Sequence, residues 1–455
     1  MVRMTAQIAA NRFGLGARSG ELAAYGKDGR GALLAALNQR PAALAGDLAS
    51  SDVILRQAME LRQRKRLADA ELGLKLGQIY RPYYLQEAQA RFAAAVASEH
   101  SFLERLVHFW SNHFAVSIDK LAVLGLAGAF EREAIRPNIL GNFTSMLLAV
   151  ERHPAMLLYL DNHISIGPHS IAARFAARRG GGRKVGLNEN LAREILELHT
   201  LGVDGGYAQQ DVTTFAAMIT GWSIGGDAGR LRGGEPGRFF FREVFHEPGA
   251  KRLLGKDYRE DGMPQGEHAL RDLARHPNTA RHLATKLARH FIADDPPPAA
   301  IDSLAAAWLR SDGDLKSVYR ALLDCRDAWD PALRKYKTPA DYAHSVYRAL
   351  NLPVDAGRGG LLAFELLGQR TFQPGSPAGW PDRSVDWDGS SALLKRIEFA
   401  QQLGARSGSR FDAAGRAREA LGDSLSAATL SSIQRAQDGA QALTLLLSAP
   451  EFMRR

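Results

Sequence analysis

The sequence predicts a mostly α-helical protein, one large multi-helix body with one small antiparallel β element near residues 222–245, and three observations carry this. Leu, Ala and Arg dominate while Val and Ile are sparse in the long periodic segments, which favours helix over sheet. Apolar positions recur at three- and four-residue spacing through most of the chain. Only between Trp222 and Phe245 do glycine clusters alternate with "WSIGG" and "RFFFREVF" in the manner of a hairpin.

Taken in order, periodicity predicts helices over residues 31–46, 50–77, 83–115, 121–150 and 152–161, a helical half spanning 1–172. Residues 173–187 break the pattern with three consecutive glycines among Arg178, Arg179, Arg183 and Lys184. The absence of G-x-x-x-x-G-K-[ST] makes this a mobile basic loop, with an anion-binding lid as the alternative. The region 188–335 opens on "NENLAREILELHTLGV", is stopped by Gly202, Gly205 and Gly206, and restarts as helix near Gln209. Helices resume near Gln265, and the clearest, Thr279 to Ile292, is stopped by Asp294-Asp295-Pro296-Pro297-Pro298. In the last part, 336–455, helices are predicted over 338–350, 391–405 and 425–448, separated by the loop "GQRTFQPGSPAGWPDRSVDWDG". No repeat and no long linker interrupts the chain, so a single domain over 1–455 is expected.

With 455 residues, 45% of them hydrophobic, the chain can bury a large core. The net charge of +9 would suit an anionic partner, yet the basic residues are scattered and no nucleic-acid module accompanies them, so a solvated face is expected. A lone cysteine, Cys325, excludes an intramolecular disulfide and a multi-cysteine zinc site. Asn11, Arg12 and Arg18 interrupt any signal-peptide core, and the longest apolar run, Leu121 to Phe130, is too short to span a bilayer. A cytoplasmic protein without a membrane span is the expectation.

The opening of the central region puts two asparagines, three glutamates, an arginine and a histidine into an otherwise apolar helix. Asn188 suits an N-cap, and Glu189 suits the positive end of the helix dipole. Arg193 is four residues from both Glu189 and Glu197, so one reading is an internal ion ladder, with His199 capping a carbonyl of the next loop. Glu194 then seeks a partner outside the helix, a His, an Arg or a metal. Glu194 and His199 are five residues apart and do not share a face, so this is no H-E-x-x-H zinc helix.

A second reading draws groups from elsewhere: Asn112 and His113 in "FWSNHF", Asp161 and Asn162 in "LYLDNH", His246 and Glu247 in "VFHEPGAK". His113, His199, His246 and Glu194 are candidate ligands of zinc, iron or manganese, though not all of one ion. His113 and His246 are expected to approach one another, joined by either Glu194 or His199. Glu194, Glu197, Asp161 and Asn190 are the candidate acid–base residues.

"NRFGLGA", "FWSNHF", "PAMLLYLDN", "NENLAREILELHTLGV", "GGYAQQDV", "HEPGAKRLLG", "KLARHFIADDPP" and "SPAGWP" together resemble the bacterial domain-of-unknown-function 1800 family (DUF1800), from about Asn11 to the C-terminal helices. The resemblance implies a single large helical unit, frequently encoded beside an exported alkaline-phosphatase-like protein with a twin-arginine signal. Two positions depart from the family pattern: Ala208 replaces a threonine N-cap, and Glu247 replaces an aspartate after His246. Two functions are therefore expected to compete. One is a metal-assisted or acid–base, hydrolase-like enzyme built around the NEN helix. The other is a helical partner or chaperone-like subunit of the exported protein, leaving the cytoplasm, if at all, as a folded passenger.

Overall fold

Wherever apolar periodicity is sustained the chain is helical, and the computed structural model, which describes residues 2–26, 28–64, 69–178, 186–226, 233–354 and 359–455, is 64% helix. Twenty-four α-helices and two small antiparallel sheets lie among the described residues. Breaks fall where capping residues allow them. The predicted helix 83–115 is split, because one long helix runs Asp69–Ala97 through Pro82 and a second runs Ser101–His113. In the predicted 121–150 segment, the Asn142 side chain accepts the Thr144 amide at 2.9 Å and starts a separate helix, Phe143–Arg152. Asp438 likewise caps Gly439–Leu447 and divides the predicted 425–448 helix.

The expected hairpin is present: β1 (Trp222–Ile224) pairs with β2 (Phe239–Phe241), Trp222 opposite Phe241. A second hairpin was not anticipated, and it makes the single β element of the sequence reading too few: β3 (Lys251–Leu253) pairs with β4 (Lys256–Tyr258). Its turn is Leu254-Gly255 with φ of 49° and 77°, the left-handed pair a two-residue hairpin requires. Leucine at the first position hides that turn from sequence inspection. Of the expected basic loop, Ile171–Arg178 is helix, and Arg179, Arg183 and Lys184 lie outside the described residues.

Two apolar clusters form the interior. The larger draws on residues from Ile8 to Ala328, and the second gathers Phe92 and Val96 with residues Tyr336 to Met453. Arg348, fully buried, links them: its guanidinium donates to the carbonyls of Gly16, Ala95, Val96 and Ser98 and to both oxygens of Glu21. That many partners offsets the desolvation of a buried charge. Among the described residues, no helix is long and apolar enough to cross a membrane.

Candidate active site

The NEN helix explains its polar content by how it ends. Asn188 Oδ1 accepts the Asn190 amide at 2.9 Å, opening an α-helix at Asn190–Glu194 that widens into a π turn at Ile195–His199. Thr200 Oγ1 donates back to the Ile195 carbonyl at 2.6 Å. The last carbonyls of a helix have no partner within it; here His282 Nε2 reaches that of Leu198, and His113 Nε2 that of His199, each at 3.2 Å. The His199 ring turns inward, where Nδ1 donates to Glu151 Oε1 at 2.8 Å with both side chains wholly buried.

His113 ends the helix Ser101–His113 and is buried. Because its Nε2 faces a carbonyl, that nitrogen carries the hydrogen, leaving Nδ1 to accept from Lys286 Nζ at 3.0 Å. Burial holds His113 well below the ordinary imidazole range, with Lys286 adding to the effect. His282 is pushed down to about 4, again by burial first and Lys286 second.

Lys286 lies on the helix Pro277–Phe291, whose N-terminus is capped by His276 Nδ1 accepting the Asn278 amide. Leu283, Leu287 and Phe291 pack into the core, while His282, Lys286 and Arg289 recur at four- and three-residue spacing on one stripe. Burial pushes the Lys286 amine down to about 8, against the upward pull of the Asp382 carboxylate and with a further push from Arg289. Lys286, Arg289 and His113 open onto a cavity of about 350 Å³, whose walls include Phe109, Phe372 and Trp380. The Gly/Pro/Trp loop roofs it. Asn112 fastens that roof, its side-chain amide giving and receiving hydrogen bonds with the Trp380 backbone at 2.9 and 2.8 Å.

Across the cavity, His290 Nδ1 donates to Asp382 Oδ2 at 3.0 Å and Nε2 faces Arg105 at 3.3 Å. Burial alone would raise the Asp382 carboxyl, but His290, Lys335 and Arg455 hold it well below the usual range. Arg105, lowered to about 10 by burial, and Arg455 both donate to Asp341 Oδ2 at 3.1 Å.

Of the residues expected at a site, His113 and His199 are brought together, with ring centroids 6.1 Å apart. His246 is not with them: its Nδ1 donates to the Thr220 carbonyl at 3.0 Å and its ring packs on Phe241, a set of neighbours that His113 does not share. Glu247 turns to His169, binding its amide and Nδ1 at 2.8 and 2.6 Å. Asp161, at φ 59°, pairs with Lys120 at 2.6 Å, and Asn190 is exposed at the helix start. Asn162 bridges the carbonyls of Ile219 and Trp222, each at 3.1 Å.

The ion ladder forms on one side only, since Arg193 binds Glu189 and Gln209 while Glu197 has no hydrogen bond among the described residues. Glu194 is half-buried without the expected partner, and burial raises its carboxyl. Among the described residues, no three His, Cys, Asp or Glu side chains are grouped so as to hold a metal. The ligand set His113, His199, His246 and Glu194 therefore does not assemble.

Glu151, His282, Lys286 and Arg289 escaped sequence reading. The readable signal was the stripe His282, Lys286, Arg289 on one face of an apolar helix. The Ala208 departure costs a side-chain cap, but Asp211 compensates, accepting the amides of Ala208 and Leu254 at 2.9 Å each and tying this helix to the second hairpin. No curated protein and no solved structure matches the chain. A family model described as a protein of unknown function, DUF1800, matches residues 8–454, and the chain belongs to that family.

Proposed function

We propose that the protein is an acid–base, hydrolase-like enzyme whose proton-transferring group is Lys286. The observation that carries this is the amine's position, in a cavity of small-molecule size and hydrogen-bonded at 3.0 Å to a neutral imidazole, where burial pushes its pKa down to about 8. A general base works best when its pKa lies near the working pH. The neutral amine takes a proton from water, hydroxide adds to an acyl carbon, and the ammonium returns that proton to the leaving group. His113 Nδ1 holds the amine in place in both states. Nothing in the geometry points to the exported phosphatase-like partner, so the acid–base reading is carried forward.

Competitive acetylation with peptide mass spectrometry tests it directly. Lys286 is expected to titrate near pH 8, while exposed lysines do so near about 10.4. Hydrolysis of 4-nitrophenyl acetate should rise with the same midpoint and vanish in Lys286→Met. A Lys286 that titrates with the exposed lysines, or hydrolysis unaffected by that substitution, overturns the proposal.

A further inference from the structure

We infer that the cavity selects a small organic carboxylate with an apolar or aromatic body, held through Arg289. The inference deepens the acid–base reading by naming a substrate class, and it stands on a separate residue. Five arginines line the cavity. Four of them are neutralised: Arg91 by Glu131, Arg105 by Asp341, Arg370 by Glu365 and Arg383 by Asp295. Arg289 has no carboxylate partner among the described residues; only its Nε is used, donating to the Asp294 carbonyl at 3.1 Å.

That bond anchors the guanidinium and leaves both terminal nitrogens without a partner among the described residues. A planar fork of this kind matches a carboxylate in bidentate fashion. Lys286, one turn earlier on the same face, adds positive charge while it is protonated. The rest of the wall is of a different kind: Phe109, Phe372 and Trp380 offer aromatic surface, which suits an aryl or short alkyl body and disfavours a fully hydrated anion. A volume of about 350 Å³ is at the small end for ligand sites, so one ring or a short chain fills it. With the carboxylate on Arg289, the other end of such a molecule lies within the cavity that Lys286 faces.

Calorimetric titration of the full chain at pH 7 with benzoate, benzyl alcohol and inorganic phosphate tests this, each compared with Arg289→Gln and Arg289→Lys. Benzoate is expected to bind at least tenfold more tightly than either other probe. Its affinity is expected to fall at least tenfold in Arg289→Gln and by a smaller factor in Arg289→Lys, which keeps the charge but not the fork. Circular dichroism establishes that each variant is folded. Binding of benzyl alcohol or phosphate as tight as benzoate, or unchanged benzoate affinity in both variants, overturns the inference. If benzoate fails to bind while Lys286 still titrates near pH 8, the carboxylate site is wrong and the acid–base reading stands. If benzoate binds as expected but Lys286 titrates as an exposed lysine, the acid–base reading alone fails.

Discussion

Lys286 Nζ lies 3.0 Å from His113 Nδ1, and the other nitrogen of that ring is committed to the carbonyl of His199. Two residues on two other helical segments, His113 directly and His199 through its carbonyl, thus hold the amine against a cavity. Behind them, Glu151 holds the His199 ring, so the residue whose carbonyl meets His113 is itself anchored by a buried carboxylate.

An amine held near 8 destabilises the fold. A lysine whose folded pKa is lowered binds fewer protons folded than unfolded between about 8 and its ordinary 10.5, so wild-type stability rises with pH across that window. Below it the full penalty applies. Lys286→Met is therefore expected to stabilise the protein at pH 7 by about 1–2 kcal/mol, once the lost hydrogen bond to His113 is subtracted. The gain should shrink steadily above pH 8. Urea melts at pH 7 and pH 10 check it, and a variant less stable than wild type at pH 7 would falsify the assignment of a buried charge.

Glu151 should be costly to truncate and cheap to replace by its amide. Glu151→Ala leaves the His199 Nδ1–H unpaired in the core, at about 3 kcal/mol, whereas Glu151→Gln keeps an acceptor and costs about 1 kcal/mol. Thermal denaturation of the pair separates the two. Equal losses would mean that the hydrogen bond at His199 is not what the carboxylate supplies.

The roof of the cavity hangs on Asn112. Removing its amide in Asn112→Ala frees the Trp380 backbone, and Gly379→Ala, at φ 83°, would place a methyl 2.3 Å from the Asn112 carbonyl oxygen. Both variants are expected to expose the loop at residues 368–389 to limited proteolysis while leaving most of the helical circular dichroism intact. Cleavage elsewhere first, or none at all, would show that the loop is held by other contacts.

Asp382 gives a dependence of the same sign in the acid range, from a group that stabilises rather than destabilises. Its folded carboxyl lies below the usual range, so its contribution is present above the unfolded pKa of about 3.9 and is lost as pH falls below that value. Asp382→Asn is expected to cost about 3 kcal/mol at pH 7, the loss typical of breaking a buried charged pair, and progressively less as pH falls from about 3.9 toward the lower folded value. A cost independent of pH would mean that the residue acts through packing.

Helical character was legible because burying one face of a helix imposes its period on the sequence, and the helix predicted from Thr279 to Ile292 is found at Pro277–Phe291. Helix breaks were less legible, since Asn142 and Asp438 act through caps that become visible only once the chain turns. At the site, His113 and His199 could be singled out as polar residues in apolar runs. Lys286 could not: a lysine on an amphipathic helix is ordinarily solvated, and the cavity it faces is walled in part by residues from 369 to 386, far away in sequence. His246 misled because its acidic neighbour suggests a ligand pair, while periodicity carries no distances. Glu151 reads as an ordinary helix-terminal acid in "AVERHP", and nothing in that string shows that it meets the buried His199 ring 48 residues on.

Arg105 meets Asp341 across 236 residues of chain, and Arg455 meets the same carboxylate across 114. Contacts of such separation pay their loop-closure entropy late, so they belong to the slow end of folding. The His290–Asp382 wall depends on them, because Arg105 touches His290 Nε2 and Arg455 donates to the His290 carbonyl. The larger apolar cluster draws none of its buried residues from beyond Ala328. The cavity is thus shared between the two parts of the chain: His113 and Lys286 come from the one, Trp380 and Asp382 from the other, and neither part alone supplies all of its walls.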